Sequence, residues 1–454
     1  MKVITYILTA ILTSFYLFPF EFVYWPGLNT KMMLAVVGMP LFCFSLLRKQ
    51  QIGLDRDFIQ IVLRALVVSL AGFVSVVLND TRDYTYANYI TSMIVWLSAA
   101  YAVTFIMHAV HGKLTFVLIC DYLVAVCVGQ CASALLVEYV HSFKVFVDSF
   151  ALGVGFELGF RDLQGKRLYG IGAMLDVAGQ RFSCILVMIA YLLLNLKQTA
   201  SQWRIILYIS SFAFISVVGN MIGRTTTVGL LLAVAYSLFR VFKVDRNLFK
   251  TLTRYMLFAF LASALVVIFC YNRSATFRAQ FRFGFEGFVS LLEKGRWETH
   301  SNNILVHMYH FPSTLKTWLI GDGYFNNPTD APYYIGYLWK GFYQGTDVGY
   351  LRFIYYFGVI GLFVFVEYFL SVARYCRSLF PRRESFFNML LLVLLIIWCK
   401  VSSDIFSIFA IYFVGKDLLS DETEDAEVIM DKPIVTAGAG SAYVQNSKRC
   451  TSSI

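Results

Sequence analysis

The chain has 454 residues, 58% of them hydrophobic and only 15% charged, with a formal net charge of +10. A mean hydropathy of +0.66 excludes an ordinary soluble enzyme and marks a polytopic membrane protein. The positive charge comes without any RNA- or DNA-binding pattern, so nucleic acid is excluded as a partner and the excess is read as membrane topology.

A membrane span needs about 20 apolar residues. Windows of that kind fall at about 3–20, 32–47, 58–78, 88–110, 115–140 and 178–196, and again at about 204–221, 225–239, 255–271, 349–371, 385–399 and 403–415. They predict an all-α polytopic membrane protein with about 12 transmembrane helices, residues 1–416 forming one transmembrane domain. The first window has no small-residue cleavage pattern and is expected to stay attached as a span.

Lys and Arg accumulate in alternate connections, for example at Arg48, Lys49, Arg240, Lys243, Arg382 and Arg383. By the positive-inside rule those segments are cytoplasmic, which puts both termini inside. Only Lys31, Arg82, Arg224 and Lys400 then fall in short outer loops, and two long segments, 141–177 and 272–348, lie on the outer face. Neither contains any of the nine cysteines, so no disulfide framework or cysteine metal site is expected there. Residues 417–454 turn acidic and then Gly/Ala/Ser/Thr-rich, which reads as a disordered cytoplasmic tail.

In chain order, the first polar feature is Asp55-Arg56-Asp57, a D-x-D pattern of the kind that holds a divalent metal in nucleotide-sugar transferases. Its inner position reads as solvated loop charge. Asp80 and Asp83, in the outer loop after the third window, are second-choice bases. Arg167 precedes the sixth window, Arg181 lies just inside it, and Arg224 occupies the tight turn between the seventh and eighth. An arginine among membrane helices costs roughly 2.5–3.5 kcal/mol on insertion scales and needs a partner or a watery cavity. Glu138, Glu157 and Asp162 are too few to pair with all the arginines near the outer face, and a diphosphate suits the surplus because a guanidinium offers permanent bidentate donors. Gly219 and Gly223 allow close backbone approach at Arg224. Arg181 can equally snorkel to the interface.

Within the second long loop, Phe277, Phe281, Phe285, Phe288 and Leu292 recur at helical spacing and predict one amphipathic helix over 275–294. Arg278 and Arg282 share a face beside that stripe, toward lipid phosphates or a substrate. His307 and His310 have the i, i+3 spacing of metal ligands but no matching third residue, and read as ordinary packing. The aromatics between Tyr324 and Tyr343 suit a sugar platform or an interfacial belt. At the end of the loop, Thr346-Asp347 leads into an apolar run. Asp347 is either a general base or the N-cap of the following helix. As a base it needs burial to raise it from the usual value of roughly 3.9, with Arg352 opposing the rise.

Taken together, Arg167-Leu168-Tyr169-Gly170, Gly223-Arg224-Thr225, Gly295-Arg296-Trp297, Gly321-Asp322-Gly323, Thr346-Asp347-Val348-Gly349-Tyr350 and Tyr356-Phe357-Gly358-Val359-Ile360-Gly361 resemble, in order and placement, the Wzy-type O-antigen and capsule polymerases. These are relatives of the O-antigen ligases. The resemblance implies a C-type glycosyltransferase-like membrane fold with two periplasmic loops, in the bacterial inner membrane. It implies an inverting, metal-independent polymerase without a cofactor, joining undecaprenyl-diphosphate-linked repeat units, with a chain-length regulator as a protein partner. Asp347 stands where the ligases carry a histidine base. Arg224, and either Arg282 or Arg296, match arginines that contact diphosphate, with Arg167 and Arg181 as further candidates and Tyr324 and Tyr343 as sugar contacts. A ligase acting on a lipid or protein acceptor is the alternative, and a flippase or transporter of lipid-linked sugar the third.

Overall fold

Backbone amides in a bilayer have to be satisfied within their own segment. All twelve apolar windows are accordingly helical in the computed structural model, which describes residues 2–48, 56–152, 167–197, 201–240, 246–329, 334, 336–339 and 341–420. The first half contains α1 (Lys2–Leu17), a hairpin of β1 (Glu21–Phe22) and β2 (Trp25–Asn29), α2 (Thr30–Arg48), α3 (Arg56–Leu78), α4 (Tyr89–His111), α5 (Phe116–Tyr139), α6 (His141–Phe150), α7 (Leu175–Asn195) and α8 (Gln202–Ile222). The second half contains α9 (Thr226–Arg240), α10 (Arg246–Arg273), α11 (Ala275–Gly284), α12 (Glu286–Lys294), α13 (His300–His307), α14 (Leu315–Ile320), α15 (Gly349–Leu379), α16 (Glu384–Ile397) and α17 (Phe406–Phe413).

Seven of these, α3, α4, α5, α7, α8, α10 and α15, are long and apolar enough to cross a membrane, against the twelve expected. The other five windows are helical but shorter or interrupted. α2 carries Pro40, and α16 and α17 have only 14 and 8 residues. The chain is therefore an all-α polytopic membrane protein at the level of its long apolar helices.

Helix α7 runs through the centre of the bundle and is buried along nearly its whole length. Its tight neighbour is α9, where a Cβ on Gly229 would stand 2.1 Å from Ser183 Cα. A small residue at that crossing lets two membrane helices approach to backbone contact.

Helix α15 is not one rod. Phe357 and Gly358 leave helical geometry, Gly358 at φ 70°, and a Cβ there would meet Leu319 O at 2.1 Å. The short helix α14 docks into this break. Asp322 N and Gly323 N donate to Tyr355 O and Tyr356 O at 2.6 and 3.1 Å, and Ser75 Oγ donates to Tyr356 O at 2.6 Å. Carbonyls freed by the break are thus satisfied by protein, the condition on which a broken helix is tolerated at membrane depth.

Two expectations change here. The aromatic stripe over 275–294 does not lie on one helix, because the chain breaks at Phe285 into α11 and α12, although the rings of Phe281 and Phe285 still stack with centroids 4.6 Å apart. Gly284, just before the break, packs on the backbone of Asn220 and Met221, so docking on the end of α8 overrides a continuous surface helix. Residues 417–420, expected to belong to a disordered tail, instead pack on the bundle. Ser45 Oγ donates to Asp417 Oδ2 at 2.7 Å, and Ser420 N donates to Leu114 O at 2.8 Å. Residues 421–454, like Asp55, Glu157 and Asp162, lie outside the described residues.

Candidate functional site

The entry to α15 is built by a tight turn over Tyr343–Gly345, with Gln344 and Gly345 both at positive φ. Thr346 follows, fully buried, and its Oγ1 donates to Met308 O at 2.8 Å while accepting from Val348 N at 3.3 Å. Val348, not Asp347, occupies the N-cap position, and no side chain caps it. The capping alternative for Asp347 therefore falls away. Its carboxylate makes no hydrogen bond or ion pair within 4 Å among the described residues.

Below Asp347 runs the non-helical turn between α16 and α17. A Cβ on Gly349 would lie 2.4 Å from Val401 O, and Tyr350 N donates to Trp398 O at 3.1 Å, so only a glycine lets the two backbones come this close. The contact places Lys400 near Asp347. Burial pushes the Asp347 carboxyl up to about 6, with help from Asp176, while Arg352 and Lys400 oppose the rise. Arg352 does so from a fixed position, only 5% exposed. Its Nη1 donates to Ser402 Oγ at 2.6 Å and its Nη2 to Phe325 O at 3.2 Å, and the guanidinium lies 3.7 and 3.4 Å from the Phe325 and Phe342 ring centroids.

Two of the predicted arginines converge near Lys400. Arg167 and Arg224 both approach the Phe283 ring, at 4.6 and 4.3 Å from its centroid, and each has a buried Nε without a hydrogen-bond partner. Arg224 is paired with Glu286 through Nη1, and Glu286 also accepts from His300 N at 2.9 Å. Asp176 ties the two halves together. It accepts from Thr225 Oγ1 at 2.7 Å and lies 3.9 Å from Lys400 Nζ. Leu175, just before it, is held at φ 52°, a left-handed conformation that costs a leucine roughly 1–2 kcal/mol. Lys400 has Asp176, Arg224, Arg167 and Asp347 as its charged neighbours, and burial lowers its pKa.

The expected shortage of carboxylates is thereby corrected in its particulars. Asp176 and Glu286, which carry no motif in the sequence, stand beside the arginines, and Lys400 is more than an outer-loop cation. The other predicted residues lie elsewhere. Arg181, in α7, sits under the rings of Phe18 and Trp96. Arg282 pairs with Glu293 at 2.9 Å and Arg296 with Glu298 at 3.2 Å, both arginines well exposed. Asp83 is fixed structurally, accepting from Phe325 N and Asn326 N at 2.8 Å each.

Tyr324 and Tyr343 lie side by side, ring centroids 5.3 Å apart, on the wall of a polar cavity of about 770 Å³ that also takes in Asp80, Arg82, Lys316 and Asp322. Tyr343 Oη donates to Asp322 Oδ2 at 3.3 Å, so the ring is oriented. His307 and His310 find no third ligand: among the described residues no three His, Cys, Asp or Glu side chains gather to hold a metal ion.

The fold and this site define a class, a predominantly helical membrane protein with an unpaired, partly buried carboxyl beside Arg352 and Lys400. Comparison of the chain with protein-family models, curated proteins and solved structures finds no match.

Proposed function

We propose that the protein is a polysaccharide polymerase that joins undecaprenyl-diphosphate-linked repeat units by inverting glycosyl transfer at the periplasmic face of a bacterial inner membrane. The observation that carries this reading is Asp347, which caps no helix, is unpaired and is raised to about 6, with Arg352 and Lys400 as its cationic neighbours and Arg167 and Arg224 in turn beside Lys400. A carboxyl of this kind is a competent base near neutral pH, because its proton affinity lies close to the working range. The cations suit the charge that develops on a departing diphosphate. The reading also takes up twelve membrane segments, cytoplasmic termini and the motif order shared with the Wzy-type polymerases.

In the reaction so read, a sugar hydroxyl of one lipid-linked repeat unit attacks the anomeric carbon of the growing chain. The C–O bond to undecaprenyl diphosphate breaks as the new glycosidic bond forms, and Asp347 takes the hydroxyl proton. Attack from the face opposite the leaving group inverts the anomeric centre. Arg224 and Arg167 hold the diphosphate, and Tyr324 and Tyr343 stack on sugar rings.

The test is complementation of a deletion strain with Asp347→Ala or Arg224→Ala. Each variant is expected to reach the membrane and to leave single repeat units at the surface in place of long chains. Wild-type chain lengths from either variant would sink the site assignment, and a deletion strain that still makes long chains would overturn the polymerase reading. Long lipid-linked polymer that is never transferred would make the protein a ligase instead.

A further inference from the structure

A second cationic group lies apart from the Arg167, Arg224 and Lys400 cluster. Arg181 is 8% exposed and makes no hydrogen bond or ion pair among the described residues. None of its nitrogens is both sealed off and unpartnered, so its donors face reachable space. Lys31 is likewise without a hydrogen bond or ion pair among the described residues, its Nζ standing 4.3 Å from the Trp96 centroid while the Arg181 guanidinium lies 6.0 Å from the same ring. Ring contacts contribute about 0.5–2 kcal/mol, too little to replace the unfilled donors of a nearly buried guanidinium.

The one carboxylate among their charged neighbours is Asp404, whose Oδ1 already accepts from Phe406 N at 2.9 Å. Two cations against one acid leave a single positive charge. That balance matches a monocarboxylate, whereas a diphosphate would be undercompensated. Position agrees with this. Gln180, next to Arg181, donates to Ser403 O at 3.0 Å, which places the pair against the same turn whose other end holds Lys400 near Asp347. Lys400 and Asp404 are four residues apart, at most about 14 Å along the backbone, a reach of a few sugar rings.

We propose that Lys31 and Arg181 form a subsite for the carboxylate of an acidic sugar, so that the glycan handled here carries a uronic-acid-type residue close to the reacting end. The identity of the ligand as a glycan rests on the function proposed above. The planar fork of Arg181 accepts both carboxylate oxygens, and Lys31 supplies a second charge.

The experiment measures binding, without chemistry, to the full-length protein in nanodiscs by calorimetry, with trigalacturonic acid, neutral maltotriose and inorganic pyrophosphate as probes. Trigalacturonic acid is expected to bind saturably. Lys31→Gln or Arg181→Gln is expected to weaken it about tenfold or more, Arg181→Lys to retain part of the affinity, and Asp404→Asn to tighten it by removing the competing acid. A purely structural arginine would not produce that last gain. Equal binding of maltotriose, or trigalacturonate binding indifferent to these variants, overturns the subsite, and so does pyrophosphate binding that depends on Arg181. If Arg181→Gln does not fold, as judged by its unfolding midpoint, Lys31→Gln and Asp404→Asn decide. Failure here removes this subsite alone, whereas a deletion strain that still makes long chains would remove the polymerase reading and leave the measured carboxylate binding standing.

Discussion

Lys400 Nζ stands 3.9 Å from Asp176 Oδ1, and this pair links the arginine cluster to the acid at the head of α15. Lys400 also restrains the pKa of Asp347. Removing it by Lys400→Ala is expected to raise the Asp347 pKa above about 6 by up to about one unit. A base must be deprotonated to act, so the acid limb of the transfer rate should move to higher pH. A pH profile of glycan transfer in membranes checks this, and an unmoved limb would mean that Asp347 is not the titrating group.

A carboxyl raised in the folded state disfavours folding wherever it is ionised. Between roughly 3.8, its unfolded value, and about 6, the folded chain binds more protons, so its contribution to stability falls as pH rises through that window and then levels off. Asp347→Asn removes the penalty. It should stabilise the protein at pH 7 by about 1–2 kcal/mol, allowing for partial solvent screening, while abolishing transfer. Thermal unfolding in micelles should show the gain at pH 7 and none near pH 3.

Glu286 competes for Arg224 with any anionic ligand. Glu286→Gln should therefore tighten inorganic pyrophosphate binding about tenfold if Arg224 is a phosphate ligand. The same change should cost only about 1 kcal/mol of stability, because the pair is partly exposed. Loss of stability with no gain in pyrophosphate affinity would make the pair a structural clasp.

Gly358 has no room for a side chain and an unfavourable φ for one. Gly358→Ala is expected to destabilise by about 3 kcal/mol or more, read as a lowered unfolding midpoint and loss of protein from the membrane. Gly295 has a similar φ, but a Cβ added there would meet nothing within 4 Å, so Gly295→Ala should cost only about 1 kcal/mol.

Tyr324→Ala and Tyr343→Ala should leave insertion intact and shorten the glycan product, since stacking area is lost from the cavity wall without touching Asp347. Tyr343→Phe removes only the bond to Asp322 and should cost under about 1 kcal/mol. Chain-length distributions on gels separate the two cases.

Apolar runs made the helices legible, because a bilayer leaves the backbone no other choice. The break in α15 was not legible: Gly358 lies in an apolar window, and what it accommodates, Leu319 O, belongs to a different helix far back in the chain. Asp176 and Glu286 carried no local signal either, since they gain meaning only when the start of α7, the turn after α8 and the start of α12 meet. One signal was available and could have been used further. Lys31, Arg82, Arg224 and Lys400 are the cations that the positive-inside rule leaves in short outer loops. All four end in clusters, Lys31 at Trp96, Arg82 at the tyrosine cavity, and Arg224 and Lys400 together with Glu286 and Asp176.

The break at Phe357 and Gly358 also has a mechanical meaning. The piece of α15 beyond it, 359–379, is long enough to cross about 30 Å of hydrocarbon by itself, while the piece before it is anchored to α14 and to the turn at 398–401. When a bilayer thins or thickens, the crossing piece changes its tilt, and a two-part helix takes up that angle at its joint. Such a joint would let the crossing piece follow the bilayer while the docked piece that Asp347 precedes keeps its contacts.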